Sequence, residues 1–192
     1  MLKNSFLLLF CLFSLYILTT SSVFFEKKAT ECSLNWVKER KLNWEDFRGR
    51  PEAGVRAIAM THSGFQTFPS NEKIGAKTYV RTKVIAQFDC DESWVRRSER
   101  ENAYALHHEQ GHFDISEIYA RKLEKLLNEK PIPLPDYNRV LDVIYDRVFS
   151  EMGNYQERYD AETDHSLNRP KQSEWDKSIA VQLEATEKKI VE

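Results

Sequence analysis

The first half of the chain alternates apolar and polar residues in the pattern of β-strands. Over residues 78–88, β-branched, small or aromatic side chains occupy every second position, and polar or charged side chains separate most of them. Residues 55–68 are also rich in β-forming types, and Pro69 and Gly75 indicate a loop or hairpin connection between the two stretches. We therefore predict strands and turns throughout 23–90.

Three helices are predicted in the second half, because its apolar residues recur every three to four positions. The first is expected to begin at a capping box formed by Ser98 and Glu101 and to end near Asn128. Asp136 is a candidate N-cap for the second helix, and the third is predicted over 170–190, with a proline in its first turn. A β-rich half followed by a helical half predicts the α+β class, with a small N-terminal sheet packed on the first long helix.

Composition and charge limit the function classes. The chain has 192 residues, of which 41% are hydrophobic and 12% aromatic, and this is enough apolar area to bury a core. The formal net charge is −2, so nothing supports binding to a nucleic-acid backbone as the main activity. We expect one folded domain over 23–192 that acts on small molecules, metals or peptides.

The N-terminus has the layout of a secretory signal peptide. Lys3 precedes an apolar run from Ser5 to Leu18, and small residues then lead to a possible cleavage site before Val23. The apolar run is shorter than the roughly 18–20 residues that a membrane-spanning helix needs. We therefore predict that 1–22 is a signal peptide and that the protein is exported, either secreted or periplasmic. An uncleaved signal anchor, which would hold the protein at the membrane through this segment alone, is the alternative.

Two cysteines remain after the predicted cleavage, Cys32 and Cys90. An oxidising compartment would allow one disulfide between them, which would tie the N-terminal arm to the end of the predicted strand. Two separate buried thiols are the alternative. The wide spacing of the two cysteines excludes a zinc knuckle.

The residues that favour a metal lie in the first helix, in the sequence His108-Glu109-Gln110-Gly111-His112. Positions i and i+4 of an α-helix share one face, so the His108 and His112 rings project together. Two neutral imidazoles in this arrangement can bind Zn²⁺, and the intervening Glu109 can reach a water molecule beside the ion. Glycine inside a helix is unfavourable by roughly 1 kcal/mol relative to alanine. Gly111 therefore indicates that another backbone or a substrate packs closely against this turn.

A catalytic zinc usually takes a third protein ligand, and the residues directly after His112 do not provide one. We predict His165, because short loops between consecutive helices favour antiparallel packing, which would return the end of the second helix to the first. The acidic neighbours of His165 are the alternatives, namely Asp160, Glu162 and Asp164.

Three residues are candidates for supporting roles. Asp160 or Asp114 could accept the second ring N–H of a metal-binding histidine and fix its tautomer. Tyr159 could donate a hydrogen bond to the developing oxyanion of a substrate. Each of these side chains could equally be a buried structural partner, and the sequence leaves both interpretations open.

Several segments of the chain together resemble one family. They are Leu42-Asn43-Trp44-Glu45-Asp46-Phe47-Arg48-Gly49-Arg50-Pro51, Ser93-Trp94-Val95, His108-Glu109-Gln110-Gly111-His112-Phe113-Asp114-Ile115, Tyr159-Asp160-x-x-Thr163-x-His165 and Gln172-x-x-Trp175. This set is similar to the DUF922 family, whose members are described as predicted secreted zinc-dependent proteases of bacteria. The resemblance extends from about Leu34 to Leu183, and Ser166 stands where we expect the family to have glycine. It implies an exported zinc protease.

Together these observations predict an exported zinc-dependent peptidase with a zincin-like α+β fold and one Zn²⁺ per chain. Glu109 is the predicted general base and later the proton donor to the leaving nitrogen, with His108, His112 and His165 as metal ligands. The substrate is expected to be a peptide or protein, which the strand over 78–88 could bind at an exposed edge. A metal-binding protein without peptidase activity and an exported interaction domain with structural histidines are the alternatives.

Overall fold

The computed structural model describes residues 32–187. The predicted signal peptide and the residues that follow it up to residue 31 lie outside this range. The described strands and helices are β1 (Ser33–Asn35), β2 (Ala59–Met60), β3 (Ser63–Ile74), β4 (Lys77–Asp89), β5 (Trp94–Val95), α1 (Ala103–Asn128), β6 (Ile132–Pro133), α2 (Tyr137–Thr163) and α3 (Arg169–Ala185). Two long strands followed by three helices make the fold α+β, as predicted. Within 32–187, no helix is both long and apolar enough to cross a membrane.

A four-stranded antiparallel sheet forms around β4. β3 pairs with β4 along its whole length, whereas β1 and β6 pair with the two ends of the opposite edge. Between β1 and β6, side chains of α1 cover the β4 backbone. Asn128 Oδ1 accepts from the N–H of Thr82 at 3.0 Å, and Glu124 Oε2 accepts from the N–H of Val84 at 3.0 Å. The prediction of an exposed edge on the strand over 78–88 is therefore wrong, because β4 is central in the sheet.

The predicted hairpin connection is confirmed at Gly75, whereas Pro69 lies in a strand rather than in the connection. β3 continues through Pro69 to Ile74, and the chain reverses at Gly75, whose φ of 62° favours glycine. Proline is tolerated in an edge strand, where no neighbouring strand needs its missing N–H. Within the described sheet, β3 pairs only with β4, and this agrees with the position of Pro69. A separate two-stranded pairing joins β2 and β5.

The helices begin at local signals, one of which differs from the prediction. α1 begins at Ala103, where the Asn102 side chain accepts from the N–H of Ala105 at 3.0 Å. The predicted capping box at Ser98 is therefore wrong, because this residue lies in a short 3-10 helix that precedes α1. α3 follows its N-cap Asn168 and carries the expected proline in its first turn.

The core lies on two sides of α1. Phe113 and Leu123 of α1 pack with buried side chains of β4 on the side of the sheet. Ile115 of α1 packs with Tyr159 of α2 and Trp175 of α3 on the side of the helices. α1 therefore connects the sheet to the helical part, and it carries two of the three predicted metal ligands, His108 and His112.

A disulfide joins Cys32 to Cys90. It ties the residue before β1 to the residue after β4, next to the backbone hydrogen bond of 2.9 Å from Cys90 N–H to the Cys32 carbonyl. Of the two interpretations of the cysteines that the sequence left open, the structure has the disulfide. Such a link stabilises a fold by restricting the unfolded chain.

Candidate metal centre

The two histidines of the motif converge on one carboxylate. α1 places His108 and His112 one turn apart, and α2 crosses beside them with Asp160. Oδ1 of Asp160 lies 3.1 Å from Nε2 of His108 and 2.9 Å from Nε2 of His112. One ligand atom from each of the three residues lies within 4.8 Å of the others, so the group could hold a metal ion. Asp160, which the sequence offered as a partner of a histidine or as an alternative ligand, thus lies against both rings and is a candidate ligand.

Two glutamines hold the other ring nitrogens. Nδ1 of His108 lies 2.9 Å from Oε1 of Gln172 on α3, and Nδ1 of His112 lies against Oε1 of Gln156 on α2. Neither glutamine was among the site residues predicted from the sequence. Gln172 belongs to a motif of the family resemblance, and Gln156 precedes Asp160 by one helical turn. These two signals could have found them.

Tyr159 packs directly against the motif. Its ring stacks on His108 with a centroid distance of 4.6 Å, and its hydroxyl donates to the carbonyl of His108 at 3.1 Å. The same hydroxyl accepts from Nε2 of Gln172 at 2.6 Å. Burial raises the pKa of Tyr159 far above its usual range, so the hydroxyl keeps its proton. These contacts favour a structural role for Tyr159 over a role as oxyanion donor, because its hydroxyl proton is already donated to the His108 carbonyl.

The close approach that Gly111 indicated is made by this tyrosine. A Cβ atom added at Gly111 would lie 2.9 Å from Cζ of Tyr159 and still closer to its hydroxyl oxygen. The structure therefore replaces the expected backbone or substrate with the Tyr159 side chain. Glycine is needed because the tyrosine, which is fully buried, has no room to move away.

Glu109 has a buried carboxylate with one oxygen free. The residue is 5% exposed, and among residues 32–187 its Oε2 atom has no hydrogen-bond partner. Its backbone carbonyl accepts from the Thr61 hydroxyl at 3.2 Å, a contact that holds this turn of α1 against the chain just before β3. A buried carboxylate oxygen without a partner is energetically unfavourable, and such atoms are often found where a ligand or water binds.

The charged forms of Asp160 and His112 stabilise each other. Burial opposes ionisation of Asp160, but the hydrogen bonds from His108 and His112 outweigh it and hold the pKa of Asp160 well below its usual range. Burial likewise opposes the charge on His112, but the hydrogen bond and charge of Asp160, together with the charge of Glu109, raise the pKa of His112 to about 9. A divalent cation would take the place of the proton in this arrangement.

His165 lies at the rim of the site. Asp164, His165 and Ser166 follow α2 in a left-handed turn, with φ values of 49°, 48° and 78°. This turn leaves the His165 side chain 71% exposed, with Nδ1 3.7 Å from Oδ1 of Asp160. The φ of Ser166 favours glycine, the residue expected there from the family resemblance. His165 is outside the group of three, and its role as third ligand stays a prediction.

The remaining sequence candidates lie away from the histidines. Asp114 accepts from Nε1 of Trp36 and from Nε2 of Gln110, both at 2.7 Å, and no contact of Asp114 within the described chain involves the His108 or His112 ring. The geometry therefore gives the carboxylate a structural role on another side of α1. Glu162, an alternative third ligand, accepts instead from Nε1 of Trp175 at 2.9 Å.

A well-formed cavity also lies on that other side. It is a groove of about 420 Å³ between α1, α3 and residues 36–41, with His107 and Asp176 in its wall. His107 Nε2 lies 2.9 Å from Oδ2 of Asp176, and Lys38 pairs with Glu187 at 3.0 Å. The group of His108, His112 and Asp160 does not line this groove.

Fold and site together define an α+β protein with a candidate metal centre between α1 and α2. The chain belongs to the DUF922 family, because a family model described as a bacterial protein of unknown function matches residues 39–166. This match confirms the family and contains all three candidate ligands, whereas Gln172 lies beyond it. No curated protein and no solved structure matches the chain.

Proposed function

We propose that the protein is a zinc-dependent peptidase. The observation that carries the proposal is the buried, unpartnered Oε2 atom of Glu109, one residue from His108 and three from His112, whose Nε2 atoms converge on Asp160. Two imidazoles, one carboxylate and an adjacent second carboxylate are a donor set that suits a catalytic zinc. The predicted export is part of this proposal, since the family is bacterial and a disulfide suits an oxidising compartment.

The residues would divide the work as follows. His108, His112 and Asp160 would hold the ion, which supplies Lewis-acid polarisation of the scissile carbonyl and acidifies a water molecule. Glu109 would take a proton from the attacking water and deliver it to the leaving nitrogen, as a general base and then a general acid. Because Asp160 adds a negative charge that a third histidine would not, the site acidifies water less strongly and depends more on Glu109.

A metal-binding protein without peptidase activity is the second candidate. It is favoured by the hydrogen-bonded network of His108, His112 and Asp160, which could hold a metal ion without any contribution from Glu109. Such a network is also compatible with structural histidines in an exported interaction domain. The two candidates differ in what they require of Glu109, because only hydrolysis needs its free oxygen.

Replacement of Glu109 by Gln separates these functions. The purified protein, the Glu109→Gln variant and a Glu174→Gln control at an exposed position of α3 are compared for zinc content and for cleavage of a mixed peptide library. We expect equal zinc in all three, with cleavage reduced roughly 10²–10⁴-fold in Glu109→Gln alone. Equal cleavage by wild type and Glu109→Gln would overturn the assignment of the base. Zinc binding without any cleavage would favour the metal-binding protein.

A further inference from the structure

We infer that Gln156 and Gln172 are positioning residues that set the tautomer of His112 and His108, so that both Nε2 lone pairs point at the metal position beside Asp160. The inference rests on the metal site of the proposed function. It concerns side chains of α2 and α3 that lie behind the two rings and do not themselves face the ion. Their hydrogen-bond partners determine which ring nitrogen carries the proton.

The amide of Gln172 can point in one direction only. Its Nε2 atom lies 2.9 Å from a carboxylate oxygen of Asp176 and 2.6 Å from the hydroxyl of Tyr159. The carboxylate accepts only, and the tyrosine already donates its proton to the His108 carbonyl, so both positions require a donor. The amide nitrogen must therefore face them, and the amide oxygen faces Nδ1 of His108 at 2.9 Å. Because that oxygen can only accept, Nδ1 of His108 carries the proton.

The amide of Gln156 is fixed in the same way. Its Nε2 atom donates to the backbone carbonyl of His112 at 3.0 Å and lies 3.4 Å from the hydroxyl of Ser116. A backbone carbonyl cannot donate, so the amide nitrogen faces it and the amide oxygen faces Nδ1 of His112. The second ring therefore has its proton on Nδ1 as well.

One consequence is that the ligand geometry is prepared before a metal arrives. Because a glutamine oxygen holds the proton on Nδ1 of each ring, Nε2 is the ring nitrogen that faces Asp160, and the two Nε2 atoms lie 3.1 and 2.9 Å from its Oδ1 atom. Without metal the Nε2 atoms hydrogen-bond to this carboxylate, and a bound metal ion would take the place of the proton on Nε2. Stacking of Tyr159 on His108, with an interplanar angle of 15°, fixes the plane of that ring as well. Both glutamines are neutral, so they orient the rings without adding charge to the site.

A second consequence concerns α3. Gln172 is 1% exposed and belongs to a helix that begins after the family match ends at residue 166. This helix therefore completes the metal site from behind, through a hydrogen bond rather than a ligand. Partners of this kind typically change metal affinity by roughly 10–100-fold when they are removed.

Zinc affinity tests the inference directly. The dissociation constant for zinc is measured by competition with a chelator for the full protein and for Gln156→Leu, Gln172→Leu and Gln182→Leu. Gln182→Leu is the matched control, because Gln182 also lies on α3 but donates to Tyr155 rather than facing a histidine. We expect zinc to bind more weakly to the first two variants, with a dissociation constant roughly 10–100-fold higher than that of wild type. The control should have an unchanged dissociation constant. Equal affinity in all four folded proteins would overturn the inference.

Nitrogen NMR of the imidazoles provides a readout that a purely structural role would not change. In the zinc-loaded protein we expect protons on Nδ1 of both His108 and His112, each in slow exchange with solvent. Gln156→Leu should speed exchange at His112 alone, and Gln172→Leu at His108 alone. If Gln172→Leu fails to fold, the partly exposed Gln156 still carries the test.

The outcomes separate this inference from the proposed function. In the zinc-loaded protein, ring protons on Nε2 rather than Nδ1, or variants that bind zinc as tightly as wild type, would overturn the inference alone. Tight zinc binding with the expected protons, but with no peptide cleavage, would overturn the peptidase alone. A wild-type protein that binds no zinc after reconstitution would overturn both.

Discussion

Two faces of α1 differ in how deeply their histidines and ion pairs are buried. On the metal face, His108 and His112 lie at most 13% exposed by side chain and share Asp160. On the groove face, His107 is 54% exposed and pairs with Asp176, beside the cavity of about 420 Å³. The groove is therefore on the face with the more ordinary, solvent-exposed ion pairs. The metal face has the buried histidines and the shifted pKa values.

The comparison shows that a cavity and a cluster of reactive buried groups need not lie in the same place. The groove face could bind something bulky, but its charges are already paired at the surface, where such pairs contribute little. The metal face contains a buried carboxylate oxygen without a described partner, and its neighbours hold shifted pKa values. Shifted pKa values and unsatisfied buried atoms are typical of functional sites. We therefore place the function on the metal face.

The largest expected effect comes from removing a histidine from one face or the other. His112→Ala should reduce zinc from about one ion per chain to none, because it removes one of the three described ligands. His107→Ala, one residue before the motif, should keep the zinc of wild type. Elemental mass spectrometry of the purified proteins measures both. Loss of zinc in His107→Ala, or its retention in His112→Ala, would reverse the assignment of the faces.

The same measurement decides the third ligand. Asp160→Asn should lose zinc almost as completely as His112→Ala, and His165→Ala should retain it. The reverse result would establish His165 as the ligand that the sequence analysis predicted.

The pH dependence of stability should also differ with and without metal. His112 binds its proton more tightly in the folded state, with a pKa of about 9 against an ordinary value of 6.5. This raised pKa stabilises the metal-free fold fully below pH 6.5, and the effect is lost as pH rises to about 9. We expect a loss of about 3 kcal/mol of unfolding free energy across this range. Denaturant unfolding of chelator-treated protein measures it.

Zinc should abolish this slope, because a ligated Nε2 atom has no proton to lose. A control with His107→Ala should show the same pH dependence as metal-free wild type. An identical slope in the zinc-loaded and metal-free proteins would contradict the ion-pair arrangement of His112 and Asp160.

The smallest predicted effect concerns packing behind the metal face. Gly111→Ala should lower the free energy of unfolding by about 2 kcal/mol, since its Cβ would overlap the buried Tyr159 ring. Gly153→Ala is the matched control in α2, where a Cβ would meet no atom within 4 Å. That control should stabilise the protein by about 0.5–1 kcal/mol, because alanine favours helix. Equal effects of the two substitutions would contradict the close approach of Tyr159.

Local signals predicted the parts of the fold that depend on one segment. The periods of β4 and α1 were visible in the sequence, and so was the spacing of His108 and His112 on one helical face. The errors arose where two local signals competed. Ser98 and Asn102 are both residue types that cap helices, but Ser98 lies inside a short 3-10 helix and α1 begins after Asn102.

Site residues whose positions depend on how the helices cross were harder to predict. Asp160 was one of several acidic candidates, because the sequence does not fix the rotation of α2 against α1. That rotation places Gln156 behind His112 and leaves His165 at the rim. Gly111 showed the reverse, since its presence revealed a close contact while its partner Tyr159 could be identified only from the packed helices.

The coverage of β4 by Asn128 and Glu124 has a consequence for encounters between molecules. Unpaired strand edges are the places where sheets of separate chains join and begin to aggregate. Side chains of α1 already bind the N–H groups of Thr82 and Val84 between β1 and β6, so these donors are not available to a foreign strand. The edge that β3 leaves to solvent is interrupted by Pro69. Both edges of the long hairpin thus resist pairing with strands of other molecules.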